Sequence, residues 1–580
     1  MTRKPFIMSA MVLILIVVPL CAVMAQNEGN NTNADVCTGQ KIWEEYQSNP
    51  GRHPNIPNCS YAGYRSGEAP LPELPVKANV RDYGAIPNDE GDDTAAFNAA
   101  IKAAAKAGGG AVLAPAGRYV FSGIIRLNHN GVVLRGEGIG QTVLDFCRPL
   151  TNILDVTAFT GFAGGLIWVG PDDIFNPNGS LKTFPRGWWE IWRTGPLLAR
   201  LTAVASRGDS TVVVDDTTRL KPGDLVLALW DSPSDASLLR HIYGHAPTAG
   251  KIPGKLVGNC RMMMAAPGQP GNDADDGSNT NGFNLRWDQG ISHFMWPVAM
   301  AAITNNRVTL AQPLRLDARA EWKVRFCAMG AVVRDTGVEH LSITLHLPST
   351  HNHLKGGGWN AIYLNAVYDC WVRDVEITDA ENGVILAAAK RVTVVGVRLK
   401  GASDQHHSLA CRVLSHDNLF TDFRVEGPRR VMHGVNVEGF SSGNVWSHGF
   451  QERGTFDSHC GLPFDNLYTD CTVANDPGSW CGGSESAGPR MGRRVVRWNV
   501  RVGVEGRKDA RSVIVNQPKL LPMGALVGVQ GVPVSFAEVN AYPAEAAMPL
   551  GDKDCIIGDP GIVPYPTNLY EAQLQLRLGR

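Results

Sequence analysis

The 580-residue chain has little net charge and few long apolar runs. Its 54 lysines and arginines nearly balance its 55 aspartates and glutamates, so the formal net charge is −1. This balance argues against nucleic acid as a partner, because nucleic acid is bound through clusters of positive charge. Beyond residue 25, no stretch reaches the roughly 18 apolar residues of a membrane-spanning helix, so we expect no membrane span.

Cysteine is sparse, and its spacing excludes the common zinc-binding motifs. None of the 12 cysteines forms a C-x-x-C pair, so a structural zinc site has little support. Disulfides are allowed in an exported protein. Local spacing favours two of them, Cys37 with Cys59 and Cys471 with Cys481.

The N terminus has the features of a signal peptide over residues 1–25. A short basic start precedes the apolar run MVLILIVVPL, and small residues occupy the positions that determine cleavage before Gln26. We therefore expect a protein secreted to the periplasm or the extracellular space. Residues 26–75 are rich in Asn, Pro and Gly, which predicts an extended N-terminal arm.

Glycine and proline are abundant, with 63 and 36 residues, and predict a turn-rich β protein. Several segments after residue 330 can be superposed, among them YDCWVRDVEI, HDNLFTDFRV and FDNLYTDCTV. Asn418, Asn444 and Asn466 recur at spacings of 26 and 22 residues. Self-similarity at this period predicts one coil per repeat, with a stacked asparagine ladder at a turn.

The segment over residues 80–123 carries the most specific pattern in the chain. A DYGA strand is followed by a GDDT turn, a helical stretch over 93–107 and a GGG stop before the strand AVLAP. This pattern resembles the N-terminal signature of the pectate-lyase-like superfamily, in its rhamnogalacturonase/epimerase-like branch. The resemblance implies an all-β fold, a right-handed parallel β-helix whose first coil is covered by a capping helix. Known members include polysaccharide lyases, glycoside hydrolases and phage tailspikes.

Changes in pattern along the chain predict the domain organisation. We expect the β-helix to span 76–545 and a small β-rich insertion to interrupt it over 196–318. A C-terminal tail follows over 546–580. The loops of the insertion either wall a groove or cover a hydrophobic surface, and the sequence favours neither.

Three histidines recur with the period of the coils. His407, His433 and His459 are each 26 residues apart. Matching positions in adjacent coils lie about 4.8 Å apart, so the three rings are predicted to form a column on one outer face. The alternative is an internal polar ladder. Stacked imidazoles would form such a ladder at a higher free-energy cost than asparagines. The predicted catalytic residues are His407, His433, His459, Asp457, Glu438 and Arg453, and the predicted substrate-binding residues are Arg412, Arg430, His448 and Asp465.

These residue types suit the cleavage of an acidic polysaccharide. Elimination beside a uronate carboxylate needs a cation for that carboxylate, a base for the C5 proton and an acid for the leaving oxygen. We therefore predict a polysaccharide lyase. A glycoside hydrolase remains an alternative, since it needs two carboxylates roughly 5–10 Å apart. A glycan-binding β-helix without catalysis is a further alternative. The motifs NTD…DD…GHG and vWiDH of better-known members are absent from the sequence.

No metal ligand is assigned from the sequence. Three histidines within reach of one another could bind zinc, but strand neighbours in adjacent coils point in parallel rather than converging. Ca²⁺ is possible near Asp457, Asp465 and Asp470, without a clear motif. We expect a uronic-acid-containing polysaccharide as partner, no cofactor and a monomer.

Overall fold

The computed structural model describes residues 38–156, 160–182, 191–231, 233, 237–244, 293–458, 461–474, 491–503, 522–531 and 555–580. The predicted signal peptide lies outside these ranges. Within them, no helix has the length and apolar character that crossing a membrane requires.

The part of the chain before the insertion contains short strands and helices. The strands are β1 Val76–Asn79, β2 Gly110–Ala114, β3 Gly117–Phe121, β4 Ile125–Leu127, β5 Val132–Gly136, β6 Thr142–Phe146 and β7 Ile167–Val169. The α-helices are α1 Gly39–Ser48, α2 Thr94–Lys106 and α3 Leu150–Leu154, with 3-10 turns at Tyr64–Gly67, Val80–Tyr83 and Asp172–Ile174.

The inserted subdomain is a six-stranded antiparallel sheet with the order β8-β13-β10-β11-β12-β9. Its elements are β8 Thr194–Arg200, β9 Thr211–Val213, β10 Leu225–Asp231, α4 Ser237–Tyr243, β11 His293–Thr304, β12 Arg307–Leu310, a 3-10 turn at Ala320–Trp322 and β13 Arg325–Met329. The sheet therefore extends to Met329, beyond the predicted end at residue 318, because β13 pairs with β8 and β10.

After the insertion, long strands alternate with short ones. They are β14 Val333–Arg334, β15 Gly337–Thr344, β16 Asn360–Tyr368, β17 Trp371–Thr378, β18 Asn382–Lys390, β19 Thr393–Val395, β20 Arg398–Lys400, β21 Asp404–Arg412, β22 Leu419–Thr421, β23 Arg424–Val425, β24 Arg430–Val437, β25 Val445–Ser447, β26 Phe450–Gln451, β27 Phe456–Ser458, β28 Leu467–Val473, β29 Val496–Val502, β30 Ala525–Val527 and β31 Ile556–Gly558. The C-terminal helix is α5 Leu569–Leu578.

The described strands outside the insertion pair in parallel, each with the equivalent strand of the next coil. One sheet has the order β27-β24-β21-β18-β16-β7-β4, and a second sheet contains 17 strands. Strands β16, β18 and β21 are buried along their whole length, as expected for strands covered on both faces. The predicted right-handed parallel β-helix with its inserted β-rich subdomain is confirmed.

Helix α2 covers the first coil, as predicted from its alanine-rich sequence. Its buried face consists of three alanines with Phe97 and Ile101. The Phe97 ring lies 4.8 Å from that of Phe121 and 5.2 Å from that of Tyr119. Small side chains let the helix approach the coil closely, so its apolar stripe closes the end of the core. The Asp92 carboxylate accepts a hydrogen bond from the Thr94 amide at 3.0 Å, next to the first turn of the helix.

The asparagine ladder is present as predicted. Asn418 donates to the side chain of Asn444 at 2.9 Å, and Asn444 donates to that of Asn466 at 3.0 Å. All three are fully buried. The left-handed backbone expected at asparagine lies one residue earlier, at Asp417 and Asp465, both with positive φ. The asparagines themselves serve as hydrogen-bonded rungs inside the coil.

The insertion covers an apolar surface of the β-helix. Its hydrophobic cluster, which includes Trp296 and Phe294, continues into Leu414 and Phe464 of the coils. A buried ion pair lies at the same junction, where Asp417 contacts Lys390 at 2.9 Å and also Arg315 of the insertion. Of the two roles left open by the sequence, the described residues carry out the covering role.

Both termini of the described chain are more ordered than predicted. The segment predicted as an extended arm contains α1, and the predicted tail contains α5. The two share one hydrophobic cluster with the long sheet, through Trp43, Leu569 and Trp498 among others. The apolar residues of α1 repeat at helical spacing within a polar background, and this weak pattern explains why sequence reasoning missed the helix.

The predicted disulfides are not supported. Cys59 and Cys471 are buried free thiols, and their predicted partners Cys37 and Cys481 lie outside the described residues. Cys59 instead packs between the N-terminal segment and α5. Burial raises the pKa of the Cys471 thiol to about 12, so this thiol is inert at neutral pH.

His448 couples the docking of α5 to pH. Its ring lies 2.8 Å from carboxylates of both Asp470 and Glu571, and the hydrogen bond to Asp470, aided by Glu571, raises the His448 pKa to about 9. A pKa raised on folding stabilises the folded protein fully below the unfolded value of about 6.5, and this stabilisation is lost as pH rises towards 9.

We therefore expect α5 to be less protected from amide hydrogen exchange at pH 9.5 than at pH 7, after correction for intrinsic exchange. The variant His448→Ala should remove this difference. His346→Ala, which deletes a histidine paired with Asp145 elsewhere, is the matched control and should keep it. Equal protection at both pH values in the native protein would contradict the assignment.

Candidate functional site

Four imidazoles meet on the sheet that contains β21 and β24. His406 and His407 lie on β21 and His433 lies on β24, whereas His353 comes from the loop between β15 and β16. The ring centroid of His406 lies 4.0 Å from that of His407, 4.9 Å from that of His433 and 4.9 Å from that of His353. We refer to these four residues as the histidine cluster.

A bulge in β24 directs His433 into the cluster. Gln405 lies opposite Val431 and His407 lies opposite Gly434, so β24 has one extra residue between these pairs. Gly434 has a φ of 75°, and a Cβ there would lie 2.5 Å from the carbonyl oxygen of Thr455. Only glycine fits this position, and the bulge changes the direction of the side chain beside it.

The imidazole of His433 faces a buried carboxylate. Its Nδ1 lies 3.6 Å from Oδ1 of Asp457 on the adjacent strand β27. Asp457 is fully buried and accepts a hydrogen bond from the side chain of Asn436. A carboxylate at this side favours a proton on Nδ1, which places the lone pair of a neutral His433 on Nε2.

The tautomer of His406 follows from its backbone contact. Its Nδ1 lies 2.7 Å from the carbonyl oxygen of Gly161. A carbonyl can only accept a hydrogen bond, so we assign the proton to Nδ1. Nε2 of a neutral His406 therefore presents its lone pair to His353, whose Nε2 lies 3.0 Å away.

His407 continues a second polar ladder. Asn360, Asn382 and His407 share one register on β16, β18 and β21. Asn382 donates to the side chain of Asn360 at 2.6 Å, and His407 Nδ1 lies 3.2 Å from the Asn382 side-chain oxygen. The internal ladder considered as an alternative for the histidines therefore describes His407, which is 2% exposed.

The loop that carries His353 is held by Glu381. The carboxylate of Glu381 accepts hydrogen bonds from the amides of Gly356 at 3.2 Å and Gly358 at 2.8 Å. Its backbone carbonyl accepts from the amide of His406 at 2.7 Å. Burial raises the pKa of Glu381 to about 7 despite these donors. Glu381 thus connects the loop to the strand that carries His406.

Two members of the predicted column of three histidines, His407 and His433, lie in the described residues, and the third stays a prediction. Asn436 and Asp457 are paired across β24 and β27 and lie 21 residues apart, whereas the column assumed a step of 26. His459 is beyond the last residue of β27 and lies outside the described residues. In the described residues, the converging partner of His433 is His353.

Two predicted residues form a buried ion pair close to this sheet. Arg412 and Glu438 contact each other at 2.9 Å and are 2% and 3% exposed. The Arg412 guanidinium also stacks on the Phe162 ring at 4.5 Å. Arg412 is therefore engaged inside the protein and does not face a substrate. Arg453 lies half-buried between β26 and β27.

Two predicted substrate-binding residues lie away from the cluster. His448 contacts Asp470 and Glu571 at α5. Asp465 is buried and binds Arg494 at 2.6 Å; burial opposes ionisation of Asp465, but Arg494 and Arg315 hold its pKa below the usual range. The three aspartates considered for Ca²⁺ thus have separate partners, Asp457 with Asn436, Asp465 with Arg494, and Asp470 with His448.

Exposed arginines flank the cluster at the start of β24. Arg429 forms two hydrogen bonds, at 2.9 and 2.7 Å, with the buried carboxylate of Asp404 on β21. Arg430 lies 3.4 Å from the same carboxylate, with its side chain 55% exposed. Of the predicted substrate-binding residues, Arg430 is the one that the structure places beside the cluster and in solvent.

Comparison with known proteins agrees with the N-terminal pattern. Residues 77–158 match the sequence profile of the family described as rhamnogalacturonase A/epimerase, pectate lyase-like. This match confirms the resemblance inferred from the DYGA, GDDT and GGG segments. Residues 430–580 match a second profile, described as a domain of unknown function, DUF4955. That range includes His433, Asp457 and the C-terminal helix.

Curated relatives match a short part of the chain. Mannuronan C5-epimerase AlgE1 from Azotobacter vinelandii is 44% identical over 77 residues, which are 12% of this chain and 5% of that protein. Alginate lyase 7 from the same organism is 42% identical over 75 residues, 12% of this chain and 9% of that protein. The chain thus spans less than a tenth of either relative.

Solved structures with a similar course of the chain are distant in sequence. The A-module of mannuronan C-5 epimerase AlgE4 from Azotobacter vinelandii gives a TM-score of 0.35 at 12% identity, covering 78% of this chain and 88% of that one. The tailspike gp49 from Pseudomonas phage LKA1 gives 0.43 at 13% identity, covering 78% and 63%.

Proposed function

We propose that the protein is a secreted carbohydrate-active enzyme that cleaves an acidic polysaccharide by β-elimination at the histidine cluster. The observation that carries the proposal is the convergence of His353, His406 and His433 next to exposed arginines. The matched relatives are named for mannuronan and alginate, both acidic polysaccharides, which supports this substrate class. The predicted signal peptide supports secretion.

The cluster has the groups that elimination requires. A uronate carboxylate must be neutralised before its neighbouring C5 proton can be removed, and Arg430 at the rim supplies a solvent-exposed cation. A neutral imidazole has a ring nitrogen with a lone pair and is a suitable proton acceptor. His433, oriented by Asp457, has the arrangement of a base held by a third group. His353 is exposed and is where a sugar chain reaches the cluster.

The hydrolase alternative has weaker support. It requires two carboxylates that both reach the substrate. Asp457 is 0% exposed and Glu438 is 3% exposed, and each has a partner inside the protein. The binding alternative predicts aromatic platforms rather than clustered acid–base groups.

A panel of acidic and neutral polysaccharides in D₂O separates the candidate reactions. We expect acidic polymers alone to yield products with the ultraviolet absorbance of unsaturated uronides. New reducing ends without that absorbance would indicate a hydrolase. Deuterium incorporated at C5 of an uncut polymer would indicate an epimerase, which shares the proton-removal step. Binding without any chemical change would overturn the proposal.

Arg430 is expected to contribute to substrate binding through its charge. Because the group is exposed, Arg430→Ala should cost about 1 kcal/mol of binding, which is about fivefold in KM, with kcat nearly unchanged. Arg429 still holds Asp404 in this variant, so the fold is preserved. Arg424→Ala, at an exposed arginine paired with Glu426 on the other sheet, is the matched control. Equal KM values for the two variants would contradict the assignment.

A further inference from the structure

Three ring nitrogens of the histidine cluster converge on one point. His353 Nε2 lies 3.0 Å from His406 Nε2 and 3.3 Å from His433 Nε2. The ligand atoms of the three residues all lie within 4.8 Å of one another. The strand neighbours alone would point in parallel. The bulge at Gly434 and the loop that carries His353 make them converge.

The protons of the three rings argue for a shared cation. Nδ1 of His406 donates to the Gly161 carbonyl, and Nδ1 of His433 faces the Asp457 carboxylate. Neutral His406 and His433 therefore both present Nε2 lone pairs to His353. A neutral His353 has one ring proton and can donate it from Nε2 to only one of them. A metal ion at the point where the three nitrogens converge would accept all three lone pairs at once.

The distances also match a metal centre. Zinc binds histidine nitrogen at about 2.0–2.1 Å, so two nitrogens of a tetrahedral site lie about 3.3 Å apart. The separations of His353 Nε2 from His406 Nε2 and His433 Nε2, 3.0 and 3.3 Å, are close to that value. Three histidines with a fourth position facing solvent are the ligand set of catalytic zinc sites. His353, which is exposed, marks the open side.

The groups behind the ligands have the expected second-layer roles. Histidine ligands usually donate their other ring N–H to a backbone carbonyl or a carboxylate, which fixes the ring and its tautomer. The Gly161 carbonyl has this role for His406, and the Asp457 carboxylate lies on the corresponding side of His433, 3.6 Å from Nδ1. Glu381 holds the loop of the third ligand through the amides of Gly356 and Gly358.

We propose that His353, His406 and His433 bind one divalent transition-metal ion of the zinc class through their Nε2 atoms. Imidazole ligands favour zinc and its neighbours over calcium and magnesium, which require oxygen ligands. The chemistry of the ion rests on the proposed function. Its positive charge suits a uronate carboxylate. Because the ion lowers the pKa of bound water, that water would lose a proton to solvent, and the resulting hydroxide would accept the C5 proton while the imidazoles serve as ligands.

Metal titration of the full-length protein tests the site without substrate. After treatment with a chelator, the protein is titrated with Zn²⁺ by calorimetry and with Co²⁺ by absorption spectroscopy. We expect one ion per chain and the visible absorption of tetrahedral Co²⁺. His353→Ala, in an exposed loop, should weaken binding at least about 100-fold, and Asp457→Asn about 10- to 100-fold. His407→Asn is the matched control, since asparagine continues the ladder of Asn360 and Asn382, and it should bind as the native protein does.

The outcomes separate this inference from the proposed function. Failure of the native protein to bind Zn²⁺ or Co²⁺, or unchanged binding in His353→Ala, overturns the metal site. Loss of binding in His407→Asn while His353→Ala retains it also overturns it. If the native protein cleaves acidic polymers after metal removal, the proposed function stands and the metal site has no role in it. If it binds the ion but acts on no polymer, the metal site stands and the proposed function fails.

Discussion

Replacing His433 with alanine is expected to lower turnover of an acidic polysaccharide by about 10³-fold, within the range for loss of an acid–base group. The imidazole faces Asp457 on one side and His353 on the other. Its loss removes either the proton acceptor or an ion ligand, so both descriptions of the site predict the effect. The measurement is kcat/KM by the ultraviolet absorbance of the products.

The control for this variant must separate chemistry from folding. His433 is 8% exposed at a bulge, so its truncation leaves a small cavity with a modest cost in stability. Circular dichroism and the melting temperature should remain close to those of the native protein. His346→Ala removes a more exposed histidine that is paired with Asp145, and it should keep full turnover. Retained activity in His433→Ala, with the fold intact, would remove the cluster from the mechanism.

Replacing Asp417 with asparagine is expected to destabilise the protein by about 3–5 kcal/mol. Asp417 is fully buried between Lys390 of the β-helix and Arg315 of the insertion. Burial alone would raise its pKa, but these two cations hold the pKa of Asp417 below the usual range. Asparagine keeps the size and removes the charge, so Lys390 loses its carboxylate partner and Arg315 keeps only the more distant Asp465, at 3.9 Å. Chemical denaturation followed by tryptophan fluorescence measures the loss.

A second substitution tests the cause. Lys390→Met removes one buried cation, so the double variant Asp417→Asn/Lys390→Met should recover part of the lost stability. Asp422→Asn, at an exposed aspartate in the same coil, is the matched control and should change stability by less than about 0.5 kcal/mol. Because the folded pKa of Asp417 is depressed, its contribution is present above the unfolded value of about 3.9 and is lost as pH falls further. Equal stability of the Asp417 and Asp422 variants would contradict this account.

The repeating part of the fold could be predicted because each coil contacts only the coils next to it. Each coil pairs with the next, so the spacing of Asn418, Asn444 and Asn466 shows which residues of successive coils lie opposite each other. The capping helix was predicted from the residues of α2. The end of the insertion at Met329 was not, because β13 completes a sheet whose other strands are distant in sequence.

The candidate site was predicted in part. The period identified His407 and His433, and it placed them on adjacent strands. It could not identify His353, because that residue reaches the cluster from a loop through Glu381, and loops have no period. Sequence reasoning also missed the bulge at Gly434. A glycine inside a strand pattern, as in the HGV segment, indicates a bulge, and Gly434 has a positive φ.

Charged residues were the least predictable part of the site. Arg412, Glu438 and Asp465 share the coils of the histidines, yet each is buried in an ion pair. Successive side chains of a strand point to opposite faces. An error of one residue in register therefore assigns a core side chain to the surface, or the reverse. Arg430 is exposed because it lies at the first position of β24, where the strand leaves the turn.

The most direct test of the central claim is a crystal structure of the inactive His433→Ala variant with a uronate oligosaccharide. The account predicts a sugar carboxylate within hydrogen-bonding distance of Arg430, with the chain crossing the face where His353 meets solvent. An oligosaccharide bound to the other sheet, near Arg424, or to the surface around α5 would contradict it.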